Sequence, residues 1–269
     1  IGLPMAARLA KAGFEVQGYD IDPARCELAK GRGIAIRERM DGAELIFTSM
    51  PTETALLELA KGLKLGDALL VETSTVGPEA SKQVADIVGP YLRSPISGST
   101  ALAEAGTLTV FASGPRAAFD QAKPALAAFS RAQIWLGEGE EARYAKLAVN
   151  LMVAVTAGMM GEALALARKG GIAWPSILEV IGESAVGSPL VKYKLEPLRK
   201  RDFSPAATNA LLAKDLELIV GAAQAAGVPV PLAEHMQAAY AKLIEEGLAE
   251  EDFFGIVKAV ERSAGLGEP

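Results

Sequence analysis

The chain has 269 residues, 50% of them hydrophobic and 22% charged, with 27 lysines and arginines against 33 acids for a net charge of −6. Such a chain can bury a sizeable core as one large domain or two ordinary ones. Its acidic balance argues against nucleic acid or an anionic membrane surface as a partner. Its one cysteine, Cys26, rules out an intrachain disulfide framework and fits a reducing, cytoplasmic setting. Its one histidine, His235, falls in a helical pattern near the C-terminus, so a Ser-His-Asp triad or a histidine-rich metal site has nothing further to draw on, and no metal is expected. The most apolar stretch, residues 147–161, is interrupted by Asn150 and is too short for a membrane span, which predicts a soluble protein.

Residues 1–13 form an amphipathic helix pattern in which Leu3, Ala6, Leu9 and Ala10 recur at helical spacing, and Gly13 suits the left-handed residue past the helix end. Residues 14–19 then alternate like a strand and deliver Asp20 at its end. Gly2 at a helix start and an acid 18 residues later form the second half of a nucleotide-binding βαβ unit, close to the roughly 20-residue offset of a ribose-binding carboxylate. The first strand and first two glycines of Gly-x-Gly-x-x-Gly are expected to be absent from this chain. Asp20 taken alone reads equally well as a solvated strand end.

A helix with Pro23 in its first turn and Gly31 at its end follows, then the β-rich run of residues 45–49. Helices over 53–61, 79–88 and 117–129 alternate with strands over 68–72, 108–112 and 133–136. That alternation predicts a mostly parallel, doubly wound Rossmann-type sheet covered on both faces. The pattern stops at Gly137-Glu138-Gly139. One long helix over 141–169, closed by Gly170-Gly171, opens a second half that reads as helical throughout: 175–181, 190–198, 208–226, 232–246 and 253–264. The expected organisation is a dinucleotide-binding domain over 1–140 and an all-helical substrate and dimerisation domain over 141–269. Residues 151–161 are apolar all round, which predicts a helix buried on every side between domains or subunits.

Three further sites stand where such a fold places ligands. Met50-Pro51 and Thr73-Ser74-Thr75 follow strands, at the carboxyl edge of the sheet; helix capping is an equal reading of Ser74 and Thr75. Residues 94–99 form a small-residue turn whose N–H groups and serine hydroxyls can hold a carboxylate, although an ordinary loop has the same composition. Lys146 and Asn150 lie four apart on one face of the long helix. A partly desolvated lysine there suits general acid/base work near neutral pH; a snorkelling lysine beside a core asparagine is the other reading.

Together these residues resemble the β-hydroxyacid dehydrogenase family, which includes 3-hydroxyisobutyrate and tartronate-semialdehyde enzymes, and the resemblance spans the whole chain. It rests on Gly2-Leu3-Pro4-Met5-Ala6, on Pro95-Ile96-Ser97-Gly98-Ser99 with Ala105-Gly106-Thr107-Leu108, on Lys146-x-x-x-Asn150, and on Lys214-Asp215-Leu216. It implies that Lys146 is the general acid/base, that Asn150 orients the substrate, and that Ser97 and Gly98 hold its carboxylate. Gly2, Asp20, Met50, Pro51, Thr75 and Lys214 would bind the cofactor, and the helical half would build a homodimer or higher homo-oligomer. The expected substrate is a small 3-hydroxy acid or its semialdehyde. Family members that favour NADP often carry Asn-Arg-Thr where this chain has Tyr19-Asp20-Ile21. A carboxylate at Asp20 bonds a ribose 2′-hydroxyl and repels a 2′-phosphate, so NAD is expected, with NADP possible. Two departures touch the pocket: Ser99 replaces a second glycine, and the segment before Lys146 lacks the common glycine pair. An imine or ketone reductase on the same fold, or a non-catalytic nucleotide-binding dimer, are the alternative expectations.

Overall fold

Strand β4 (Leu69–Glu72) shows how the first half is built. Successive strand side chains point to opposite faces, and here Leu70 joins one apolar cluster with Ile46, Leu56, Val76, Val84 and Tyr91. Its neighbour Val71 joins another with Met5, Leu9, Leu92, Phe119, Leu126 and Phe129. One face is covered by α3 (Glu53–Gly62) and α4 (Pro78–Val88), the other by α1 (Gly2–Lys11) and α6 (Arg116–Phe129). This is the doubly wound Rossmann-like arrangement, and near-continuous apolar runs are what a strand buried on both faces requires. The computed structural model describes residues 1–38 and 42–269, which divide into two units, Ile1–Leu147 and Ala148–Pro269.

In the first unit β3 (Leu45–Thr48), β4 and β5 (Leu92–Arg93) pair in parallel, with Thr48 opposite Glu72 and Glu72 opposite Arg93. The two-residue strands β1 (Gln17–Gly18) and β2 (Ala35–Ile36) form a separate parallel pair. Between them runs α2 (Pro23–Gly31), whose N-cap Asp22 accepts the N–H of Ala24 at 2.9 Å. A third sheet joins β6 (Ile96–Ser97) antiparallel to β7 (Leu108–Ala112), and β7 parallel to β8 (Ser130–Trp135). The short helix α5 (Thr100–Ala105) bridges β6 and β7.

The second unit is helical among its described residues. It takes in most of α7 (Glu141–Lys169), then α8 (Trp174–Glu183), α9 (Pro189–Lys200), α10 (Asn209–Ala226), α11 (Pro231–Glu245) and α12 (Ile256–Ser263), the last preceded by a 3₁₀ turn at Phe253–Gly255. Small residues let α7 approach its neighbours. A Cβ on Gly158 would stand 2.5 Å from the Met236 sulfur, and one on Gly161 would stand 3.0 Å from Val260.

Within the single chain residues 151–161 are not covered on every side: Met152 and Met159 are exposed, as is Leu166 further along, each one heptad from the next. The all-apolar pattern therefore includes an outward stripe. By length and composition α7 is also long and apolar enough to cross a membrane, because the whole 29-residue helix, and not the interval between glycines, sets its reach.

Candidate active site

Parallel pairing brings the ends of β3, β4 and β5 to one edge, and backbone bonds fix the turns beyond them. Thr73 donates to the Thr48 carbonyl through both its N–H, at 2.9 Å, and its hydroxyl, at 2.6 Å. The Ser74 hydroxyl accepts the N–H of Met50 at 2.6 Å, so Ser74 holds the Met50-Pro51 turn in place. Thr75, half-buried, is the next residue along. The start of α1 lies beside this edge, since a Cβ on Gly2 would sit 3.6 Å from the Ser49 Cβ. No side chain caps that helix start, and unsatisfied N–H groups at a helix N-terminus suit an anion. Asp20 follows β1, exposed, with Oδ1 accepting the Asp22 N–H at 2.9 Å. These residues fit a dinucleotide: donors for a phosphate at α1, an exposed carboxylate for a ribose diol, and the Met50-Pro51 turn and Thr75 following neighbouring strands at the same sheet edge.

Beneath that edge is a charged network that sequence reasoning missed. Arg143, in the first turn of α7, is fully buried against the equally buried Glu72 at 2.5 Å. Its guanidinium also donates to the Ser74 carbonyl at 3.0 Å and the Ser81 hydroxyl at 3.2 Å, and reaches the Tyr91 hydroxyl at 3.4 Å. Burial alone would lower the Arg143 pKa; the Glu72 carboxylate and then Tyr91 more than offset this and leave it raised, so the side chain stays charged. A second pair, Arg93 with Glu140 at 2.5 Å, ties the residue before α7 to the end of β5. The available signal was the missing glycine pair before Lys146: the segment carries Glu140 and Arg143, both of which turn inward.

Residues 94–99 are not a simple turn. Ile96 and Ser97 pair with Val110 and Thr109, so Ser97 ends a strand and is half-buried. Gly98 follows with φ +138°, and an added Cβ would lie 2.6 Å from Leu108 Cδ2, so the position accepts glycine alone. Ser99 replaces the second glycine for a visible reason: its hydroxyl caps α5 by accepting the Leu102 N–H at 3.5 Å. Lys146, half-buried, is one turn beyond Arg143 on α7.

In the second unit, buried Asn150 donates Nδ2 to Asp215 Oδ2 at 2.7 Å. An ionised carboxylate only accepts, so the amide nitrogen must face Asp215, and this fixes the side chain's rotation. The Lys214 ammonium lies 3.2 Å from the other oxygen, Oδ1. Asp215 thus joins two of the predicted site residues, a role its place in Lys214-Asp215-Leu216 did not reveal. His235 is exposed on α11, and no metal-ligand cluster occurs among the described residues.

Known proteins match this chain along nearly its whole length. The NAD binding domain of 6-phosphogluconate dehydrogenase matches residues 1–137, and the NAD-binding domain of NADP-dependent 3-hydroxyisobutyrate dehydrogenase matches residues 140–260. An NAD-dependent L-serine dehydrogenase of Pseudomonas aeruginosa is 29% identical, over 98% of this chain and 96% of its own. The structure of a Mycobacterium tuberculosis 3-hydroxyisobutyrate dehydrogenase with L-serine superposes with a TM-score of 0.87 at 27% identity, covering 96% of this chain and 95% of that one. An imine reductase from Pseudomonas sp. shares the fold more distantly, with a TM-score of 0.59 at 18% identity over 96% of this chain and 95% of its own. Two family models in tandem, over the same two-part fold and the same order of motifs, establish that the chain belongs to the NAD(P)-dependent β-hydroxyacid dehydrogenase family.

Proposed function

We propose that the chain oxidises a small 3-hydroxy acid, or reduces the matching semialdehyde, with NAD as the preferred hydride carrier. The observation that carries this reading is the Asn150–Asp215 hydrogen bond, which locks the amide one turn along α7 from Lys146. Bound NAD supplies the hydride acceptor. Lys146 takes the proton from the substrate hydroxyl in oxidation and returns it to the carbonyl oxygen in reduction. Asn150, its nitrogen committed to Asp215, presents its oxygen as an acceptor to the substrate. Ser97 and the Gly98 backbone hold the substrate carboxylate. Gly2, Met50, Pro51, Thr75 and Lys214 bind the cofactor, and the exposed Asp20 carboxylate selects the ribose 2′-hydroxyl over a 2′-phosphate. Equal or better use of NADP in steady-state kinetics would overturn that last assignment.

The test is Lys146→Ala, assayed with NAD against a panel of small hydroxy acids that includes 3-hydroxyisobutyrate and L-serine. General acid/base loss predicts a fall in kcat of about 10² to 10⁴, with NADH affinity by fluorescence titration unchanged. Retained turnover refutes the role of Lys146. The outward stripe of Met152, Met159 and Leu166 supports a homodimer built on α7, a better use of its apolarity than a membrane span given buried Asn150 on the same helix. Sedimentation tests this: a monomer at micromolar concentration refutes it. The lone free cysteine supports a cytoplasmic setting.

A further inference from the structure

The Glu72–Arg143 pair lies directly between residues assigned to cofactor and to proton transfer, and none of the roles above uses it. Its contacts converge on one residue. Glu72 Oε1 accepts the Ser74 N–H at 2.7 Å, while Arg143 donates to the Ser74 carbonyl at 3.0 Å. Both polar groups of Ser74's backbone are therefore held by the two members of one ion pair, and the Ser74 hydroxyl in turn holds the Met50 N–H. On the other side, Arg143 is part of the first turn of α7, with Lys146 three residues on.

The same junction is pinned at further points. Arg93 joins Glu140 at 2.5 Å and donates to the Ser81 hydroxyl at 3.1 Å, the hydroxyl that Arg143 also reaches. The Ala142 N–H donates to the Ser113 hydroxyl at 3.2 Å. All of these groups belong to the first unit. The start of α7 is thus fixed to the sheet edge by directional bonds, with a forked guanidinium at the centre.

Net stability is a weak reason for this arrangement. Removing two charges from water costs several kcal/mol per ion, and a well-packed apolar pair of similar volume is often as stable or more so. What a charge-assisted guanidinium with a different acceptor on each nitrogen adds is geometry, and here it fixes one helix turn against one loop. We propose that Glu72 and Arg143 are positioning residues that set the register of Lys146 on α7 against the Met50–Thr75 cofactor edge. The proposal rests on the dehydrogenase reading and deepens it. Neither residue touches substrate or cofactor; both act through Ser74 and through the first turn of α7. A misplacement of about 1 Å at a reacting group can cost about 10²-fold in rate.

The experiment compares the parent chain with Arg143→Lys, which keeps the charge and loses the fork, and with the double variant Glu72→Gln/Arg143→Gln, which leaves no buried charge alone and so keeps a measurable fold. NADH affinity is read by fluorescence, and kcat and its pH profile with NAD and whichever of 3-hydroxyisobutyrate or L-serine the parent oxidises. Thermal midpoints are recorded alongside. Arg143→Lys is expected to lower kcat about tenfold, to displace the limb of the pH profile that reports Lys146, and to weaken NADH at least threefold. The double variant is expected to regain most of the thermal midpoint while kcat stays low. Recovery of midpoint, kcat and pH profile together in the double variant overturns the proposal and leaves the pair a purely structural one. So does a kcat, pH profile and NADH affinity within twofold of the parent in both variants. If the parent oxidises neither acid, the dehydrogenase reading is what fails, and the NADH titration alone decides whether the pair holds the cofactor edge.

Discussion

Replacing Asp215 by Asn isolates the residue that joins Asn150 to Lys214. The substitution keeps shape and removes the charge. Asp215 Oδ2 now accepts Asn150 Nδ2 at 2.7 Å, and Oδ1 faces the Lys214 ammonium at 3.2 Å. A hydrogen bond to a charged group is worth about 1.5–3 kcal/mol, and each 1.4 kcal/mol is about tenfold. Releasing the Asn150 amide from its fixed rotation should therefore lower kcat/KM for the hydroxy acid about 10- to 100-fold. Lys214 loses its counter-charge as well, so KM for NAD should rise by a smaller factor because Lys214 is partly open to solvent screening. The assay is initial-rate kinetics with each substrate varied in turn, beside circular dichroism to confirm the fold. A kcat/KM within twofold of the parent, in a folded protein, refutes the claim that Asp215 orients the amide.

Gly98→Ala should lower kcat/KM for the hydroxy acid at least tenfold with NADH affinity unchanged. Its φ of +138° and the 2.6 Å approach of a new Cβ to Leu108 force the Ser97-Gly98 backbone to move; unchanged kinetics would show that this backbone does not hold substrate. Burial, and then the Asp252 charge, push the Tyr240 phenol far above its ordinary value of 10.0, while its hydroxyl donates to the Phe253 carbonyl at 2.9 Å. The raised folded pKa means that this stability is fully present below the unfolded value of about 10 and is lost as pH rises above it, where only the unfolded phenol ionises. The parent's thermal midpoint should therefore fall more steeply above pH 10 than that of Tyr240→Phe, and equal slopes would sink the idea. Lys194→Met, which strands the buried Asp252 carboxylate, should cost about 3–5 kcal/mol in urea unfolding and leave NADH affinity within twofold; a loss of NADH affinity would contradict a structural role.

The helices were largely legible in the sequence. The long helix over 141–169 matches α7 to the residue, because a sustained apolar period and a Gly170-Gly171 stop leave little choice. Strands β2, β5 and β6 were not read, since a two-residue strand exists through its pairing partner and carries no pattern of its own. Helix α5 was missed because TALAEA has no apolar stripe, and only its Ser99 cap announces it. At the site, Lys146, Asn150 and Lys214 could be singled out from spacing and motif. Asp215 and Arg143 could not, because their roles depend on partners 65 and 71 residues away in the chain. The all-round apolar stretch of α7 could not be divided into an inner and an outer face for a related reason. Sequence records that a face is apolar, and the chain's own packing decides which face stays outside, here the one bearing Met152 and Met159.

Among the described residues, the two most deeply buried ion pairs show how position decides what a charge is for. Lys194 donates to both Asp252 oxygens at 2.7 Å, and those oxygens also accept the N–H groups of Phe254 at 3.0 Å and Ala206 at 3.1 Å. The ammonium lies 4.6 Å from the Phe253 ring centre. Every partner of that pair lies within the second unit, and none is a site residue, so its loss should be felt as stability alone. The Glu72–Arg143 pair has the same energetic liability, a desolvated charge on each side, but its partners are the N–H and the carbonyl of Ser74, and Arg143 itself stands in the turn that precedes Lys146. A fold that needed only to join α7 to the sheet could do so with apolar side chains at no greater cost. Directional bonds are required where an error of an ångström matters, and in the first unit that place is the junction of the cofactor edge with the lysine helix.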